Sequence, residues 1–279
     1  MKLAIRSLSK SYTIAKEKTA GTNAEKTIYA LRNCTMDIEG GGVTVIVGQS
    51  GCGKTTLLKT IAGLEQADSG TVEFTAFEQE AGKETTAEKT PKTGFMFQDP
   101  RLLPWLTVEQ NLALAFARPK NKMEKTFIQN KIMEVLAMVG LAGRGASLPQ
   151  ELSGGMARRA ALARCLCRNP RLLLLDEPLS NLDAFTRIKL REELEKLWQQ
   201  LGITVILVTH DIEDAVFFGG RVFLMNEGTI ENETDIPLSR PRDCRSAEFQ
   251  KYCQTIEEFN KNSANSDNNN GGRHEKVLH

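Results

Sequence analysis

The sequence predicts an α/β domain built on an open parallel sheet covered on both faces. Three observations predict it. The β-branched run Val43-Thr44-Val45-Ile46-Val47 feeds the loop Gly48-Gln49-Ser50-Gly51-Cys52-Gly53-Lys54-Thr55, and Leu57, Leu58, Ile61 and Ala62 follow at helical spacing until Gly63. Leu172-Leu173-Leu174-Leu175 is apolar throughout, as expected of a strand buried on both faces. Strand-like and helical runs alternate along most of the 279 residues, the order of an α/β fold.

Taken in order, residues 1–13 form a short strand ending at Lys10-Ser11-Tyr12, and the polar, unpatterned stretch 15–27 forms an exposed loop or long hairpin. Ile28 to Ile38 resumes strand character, and Gly40-Gly41-Gly42 turns the chain into the strand that feeds the glycine loop. Asp68-Ser69-Gly70 turns it again into the strand Thr71–Phe74, and a second polar insertion covers 78–92. After the short apolar run Gly94–Gln98, the segment Asp99–Trp105 breaks regular structure. The pattern is then helical from Thr107 to Leu141, and a further helix follows Leu152-Ser153-Gly154-Gly155, ending near Asn169-Pro170. Ile188, Arg191, Leu194, Trp198 and Leu201 mark an amphipathic helix; Thr204–Val208 and Val222–Met225 are further strands. The strandless region from about 99 to 169 is expected to be a helical lobe inserted into the sheet domain. From Asn262 the chain is low in complexity and is expected to be disordered.

Composition narrows the function. With 41% hydrophobic residues the chain can bury a full core, and a net charge of +1 gives no reason to expect a nucleic-acid partner. The N-terminus has no apolar signal-peptide core, and no apolar run approaches the ~18 residues of a membrane span. The expected location is cytosolic unless a partner holds the chain at a membrane. The six cysteines lack metal-ligand spacing and are expected to be reduced thiols. Cys52 lies beside Lys54 and a helix N-terminus, both of which depress a thiol pKa, so a reactive thiol is expected there.

The loop Gly48–Thr55 reads G-x-x-x-x-G-K-T between strand and helix, the context a phosphate-binding loop requires. Its glycines let backbone N–H groups turn inward around an anion, and the helix N-terminus adds its positive end. Lys54 would reach the β- and γ-phosphates and Thr55 would ligate Mg²⁺, with Thr56 behind them. Asp176 and Glu177 follow the Leu172–Leu175 strand, at the end where α/β ligand sites lie. Asp176 suits the Mg²⁺ site, and Glu177 can polarise an attacking water. His210 ends another strand of that sheet and is placed to hydrogen-bond a phosphate oxygen, or to hold Glu177 and water. Ser153, Gly154 and Gly155 open a helix as a second anion cradle. One γ-phosphate does not need two cradles, so the second is expected to serve a nucleotide held by another subunit.

Over roughly residues 1–235 the chain resembles the ATP-binding subunits of ABC transporters. Gly48–Thr55 matches their Walker A loop, Gln98 the Q-loop glutamine, Leu152–Met156 the signature and Leu172–Asp176 the Walker B strand. Glu177 matches the catalytic glutamate, Ser180-Asn181-Leu182-Asp183 the D-loop, His210 the switch histidine and Tyr12 the aromatic residue that stacks on adenine. The resemblance implies a P-loop NTPase parallel-sheet core with an N-terminal antiparallel β subdomain and an inserted α-helical subdomain. Beyond it, a C-terminal helical extension over 236–261 and a disordered tail over 262–279 are expected. It implies ATP and Mg²⁺ as cofactors, the latter held by Thr55, Gln98 and Asp176. It also implies a homodimer, or a pair with a homologous ATPase subunit, that sandwiches ATP between Lys54 of one copy and Ser153 of the other.

Phe97–Val108 and Met156 resemble, more narrowly, the nitrate/sulfonate/taurine importers. There this segment lies against an integral-membrane permease, and Leu103 and Trp105 fit such a docking patch. An extracytoplasmic solute-binding protein, no nucleic acid, and a peripheral position on the cytoplasmic face of the membrane follow from the same resemblance. Asn181 and Gly42 depart from the family pattern, which usually has Ala and an acidic residue there. A soluble ABC-type ATPase acting on DNA or ribosomes, an exporter subunit and a P-loop kinase are the other readings. The kinase would lack Leu152–Met156 and His210, and nothing in the sequence names a transported molecule.

Overall fold

The computed structural model describes residues 1–15, 25–75 and 91–270. Most of the two polar insertions, and the end of the tail, lie outside the described residues. The chain divides into two compact units, Met1–Lys2 with Glu39–Gly42 and Phe74–Leu207, and Leu3–Ile38 with Val43–Glu73 and Val208–His279.

The second of these begins with two long strands, β1 (Lys2–Ala15) and β2 (Glu25–Glu39), followed by β3 (Val43–Val47), α1 (Lys54–Ile61) and β4 (Ser69–Thr75). Strands β2, β1 and β4 form a three-stranded sheet in that order. Its side-chain pairs run in opposite directions, Arg6 with Asp37 at 2.7 Å and the Ser7 amide with Thr35 Oγ1 at 3.0 Å, then the Asn33 amide with Ser9 Oγ at 3.0 Å. The sheet is therefore antiparallel across β1 and β2. Asp68 ties the approach to β4 onto β1, accepting from the Ser11 amide at 2.6 Å and hydroxyl at 2.7 Å. Buried residues alternate at Leu3 and Ile5 and then slip a position to Leu8; β2 slips between Leu31 and Cys34. Ser7 and Asn33 have positive φ at the two slips, 48° and 51°, as where a bulge inserts one residue and re-aims the strand.

In the first unit, β5 (Thr93–Met96) pairs in parallel with β6 (Leu172–Asp176), register Thr93 to Leu172 and Met96 to Leu175. The strand order continues to β7 (Thr204–Thr209). All residues of β6 and β7 are buried, which explains their unbroken apolar sequences. Between β5 and β6 stand α2 (Val108–Ala113), α3 (Lys122–Met138) and α4 (Gly154–Leu166), and α5 (Ala184–Leu201) leads to β7. The single helical run expected from Thr107 to Leu141 is thus two helices. The first ends at Ala113 in the turns Ala115–Leu112 and Phe116–Ala113, Pro119 stands in the connection, and Asn121 accepts from the Glu124 amide at 2.8 Å to start the second. Helix α5 buries Leu190, Leu194, Leu197 and Trp198 while Ile188 stands exposed, so Ile188 is not part of its core stripe.

The second unit resumes with α6 (Ile212–Phe218), β8 (Arg221–Asn226), β9 (Thr229–Asp235) and α7 (Ala247–Asn270). Its strand order runs from the end of β7 through β3 and β8 to β9. Strand β3 pairs in parallel with β8, Thr44 to Arg221 and Val47 to Leu224, and β9 returns antiparallel at the edge. Buried Arg242 holds the segment before α7, donating to the carbonyls of Val216, Phe217, Gly219 and Ile236. The α7 backbone stays helical past Asn262 as far as Asn270; residues 271–279 lie outside the described residues. Among the described residues no helix is long and apolar enough to cross a membrane.

Candidate functional site

The phosphate loop is shaped by close backbone approaches. A Cβ at Gly48 would lie 2.1 Å from the Met225 carbonyl oxygen, and one at Gly53 would lie 2.1 Å from that of Ala30. Gly53 also has φ 108°, in the region that favours glycine. The loop is anchored by bonds that sequence reasoning missed. The Gly48 amide donates to Thr209 at 3.3 Å, and the Gly228 amide, in the β8–β9 turn, donates to Cys52 at 2.9 Å. Lys54 is 4% exposed and donates to the carbonyls of Gly48 and Gln49, both at 2.8 Å. Its charge is thereby held over the loop rather than extended away from it. Gly53 is the N-cap of α1 and supplies no capping side chain, so the positive end of the helix faces an anion without competition from one.

Cys52 does not have the character expected of it. The thiol is 8% exposed, and burial pushes its pKa up; Lys54, with Nζ 3.8 Å from Sγ, opposes the rise without cancelling it. Desolvation outweighs the nearby cation, which works against the reactive thiol expected here. Burial also raises Cys34, Cys165 and Cys253 to about 12 and Cys167 to about 11, and the six cysteines, all among the described residues, form no disulfide.

In the same unit, His210 directly follows Thr209, the residue that takes the Gly48 amide, and is exposed. Asp211 then caps α6 by accepting from the Asp214 amide at 2.9 Å. Tyr12 is half-buried. Burial and hydrogen bonding to Glu65 push its phenol pKa up, while a hydrogen bond to Thr56 pulls it down. Thr56 lies in the first turn of α1. Tyr29 is instead exposed, with the Arg32 guanidinium 5.5 Å from its ring.

The first unit carries the carboxylates. Asp176 ends β6 and is 3% exposed. Glu177, one residue on, has φ 45°, a left-handed backbone at a non-glycine residue. Gln98 Nε2 donates to Glu177 Oε2 at 3.2 Å, bringing the two side chains together. Ser153 is the N-cap of α4, its hydroxyl accepting from the Met156 amide at 3.3 Å. Gly154 is exposed beside it, and a Cβ at Gly155 would lie 3.0 Å from Thr186, so the start of α4 packs against the start of α5. Asp183 is the N-cap of α5; bonding to Thr186 holds its carboxyl below the ordinary aspartate range. Asn181 has φ 57°, a conformation that Asn tolerates better than Ala, which gives this departure from the family pattern a physical reason.

The segment after Gln98 is fixed as a loop. Buried Asn111 accepts from the Leu103 amide at 2.7 Å and donates to the carbonyls of Leu103, Leu106 and Thr107. The result leaves Trp105 71% exposed and Leu103 half-buried, so the apolar patch expected here rests on Trp105.

The family model described as ABC transporter matches residues 31–180. The chain is 43% identical over 219 residues to the aliphatic sulfonates import ATP-binding protein SsuB of Cupriavidus necator, covering 78% of this chain and 68% of that protein. It is 40% identical over 227 residues to SsuB of Bacillus thuringiensis, covering 81% and 86%. A dimeric ATP-binding cassette solved in a post-hydrolysis state with ADP and Pi superimposes with TM-score 0.67 at 32% identity, over 85% of this chain and all of that one.

Proposed function

The chain belongs to the ATP-binding subunits of ABC transporters, and from that membership we propose that it energises uptake of an alkanesulfonate or a related small solute through a separate permease. It binds ATP and is an ATPase. The sulfonate class rests on one observation: relatives 40–43% identical over 78–81% of the chain are named for aliphatic sulfonate import. The test is to identify the neighbouring permease and extracytoplasmic binding protein, then assay binding and ATP-dependent uptake with all three together. Micromolar binding and uptake of alkanesulfonates supports the sulfonate class; preference for nitrate or another anion replaces it.

The residue roles follow from chemistry. Lys54 and the loop amides hold the phosphates, and Tyr12 stacks on the base. Tyr12 is half-buried and its phenol feels Thr56 of α1, while Tyr29 stands exposed, which supports Tyr12 for this role. Thr55, Asp176 and Gln98 present a hydroxyl, a carboxylate and an amide, hard oxygen donors that suit Mg²⁺ kept partly hydrated and bound through phosphate. Bound there, Mg²⁺ would neutralise charge developing on the phosphate oxygens.

Glu177 takes a proton from the attacking water, which adds to the γ-phosphorus as the bond to the β-phosphate oxygen breaks. Its hydrogen bond from Gln98 supports this, because a loop that responds to the nucleotide then also orients the base. His210 stabilises the transferring phosphoryl oxygens.

Two copies pair head to tail, Ser153 of each completing the ATP site of the other. Exposed Phe185 and Ile188, beside the D-loop, support a covering second copy. Hydrolysis removes the bridging phosphate and the pair reopens. The movement passes through the Gln98–Leu106 segment and exposed Trp105 to the permease, at the cytoplasmic face of the membrane.

A further inference from the structure

Arg158 has none of the roles above, yet it grips the backbone of three functional segments. The residue is 6% exposed. Its Nη1 donates to the carbonyls of Gln98 at 3.2 Å, Glu177 at 3.4 Å and Pro178 at 3.2 Å, and its Nη2 donates to the carbonyl of Ser180. Those carbonyls belong to the glutamine loop, the end of β6 and the D-loop. Arg158 itself lies on the second turn of α4, the helix that Ser153 caps.

Two of the gripped segments contain backbone that side chains disfavour. Glu177 has φ 45° and Asn181 has φ 57°. Such angles persist where the surroundings over-determine them. Here the Ser180 hydroxyl and amide both donate to the Glu177 carbonyl, at 3.0 and 3.2 Å, and Arg158 closes the remaining side. A planar guanidinium has forked donors fixed in direction and can span several carbonyls at once; an ammonium is a single point.

We propose that Arg158 is a positioning residue for hydrolysis, holding the Glu177 carboxylate and Gln98 in register while linking both to the helix that carries Ser153. It touches no reacting atom and acts through Glu177. The proposal rests on Glu177 being the base.

The test is single-turnover hydrolysis by the full-length chain with ATP bound first and the reaction started by Mg²⁺. The amplitude counts occupied sites, and the rate constant reports the chemistry within them. Arg158→Lys and Arg158→Gln are expected to keep the parental amplitude while the rate constant falls about 100-fold, the loss typical of a misplaced catalytic group. Added to Glu177→Gln, Arg158→Gln is expected to slow the reaction little further, since residues acting as one unit are non-additive. Lower amplitude, or a lower melting temperature, with a parental rate constant in the occupied sites marks a purely structural role and overturns the proposal. So does a second full loss on top of Glu177→Gln. Were Glu177→Gln itself to turn over normally, the base assignment would fail instead, a result distinct from either.

Discussion

In the proposed function Glu177 is the residue on which the chemistry turns. Replacing its carboxylate with an amide keeps the bond partner for Gln98 but removes the proton acceptor. Glu177→Gln should bind ATP normally and hydrolyse it about 10²- to 10⁴-fold more slowly, as steady-state turnover and ATP titration would measure. Near-parental turnover would reassign the base. Cys52 gives a second prediction, with a worked sign. Burial raises its pKa, so its thiolate is scarce below the ordinary cysteine range and grows only as pH rises through the raised value. Alkylation at neutral pH should be slower than that of a free thiol and should keep accelerating past the pH at which a free thiol's rate levels off, by mass-spectrometric labelling. Labelling as fast as free cysteine would contradict this. The sequence put a cation and a helix end beside this thiol; the burial that overrides them comes from packing, which local motifs do not record.

At the scale of elements, Asn111 converts a short helix into a scaffold. It joins α2 to the loop that exposes Trp105 through three hydrogen bonds of a fully buried side chain, one accepted from the Leu103 amide and two donated to the Leu103 and Leu106 carbonyls, with a fourth to the Thr107 carbonyl at the helix's own N-cap. Asn111→Leu takes their side-chain partner from the Leu103 amide and the Leu106 carbonyl, each worth about 1–3 kcal/mol when buried without a partner, while the Leu103 and Thr107 carbonyls keep the Leu106 and Asn111 backbone amides. Urea unfolding should show a loss of at least about 2 kcal/mol. Permease docking should weaken while ATP affinity stays unchanged. Parental stability would mean that the loop is held otherwise.

What could be read ahead of the structure differed by element. The phosphate loop, β3, β6 and β7 were legible, because each carries its constraint in consecutive residues. The start of α3 was signalled by the Asn121 cap behind Pro119, but the apolar pattern on either side masked the break from α2, which ends at Ala113. Helix α6, Ile212–Phe218, is too short for periodicity to declare it. Strand β9, Thr229–Asp235, is largely polar because it lies at the sheet edge. Arg158 reads as one of several basic residues on a helix. Only its four long-range carbonyl partners distinguish it.

At the scale of the whole molecule, the proposed function gives an anion to each of two helix starts, α1 behind Gly53 and α4 behind Ser153. Pairing two copies head to tail lets both serve one ATP, a two-fold arrangement common among oligomers. It also explains why the start of α4 is exposed at Ser153 and Gly154 with apolar Phe185 and Ile188 standing uncovered on α5. The most direct measurement mixes two damaged chains, one carrying Lys54→Ala and the other Ser153→Arg, and follows ATP hydrolysis. A mixed pair holds one intact site, built from Lys54 of the second chain and Ser153 of the first. Each variant should be inert alone, and an equimolar mixture should regain up to about a quarter of the parental rate, the statistical share of intact sites in random two-fold pairs. Ser153→Arg hydrolysing ATP by itself at the parental rate would show that a single copy builds a complete site, and would contradict the shared one.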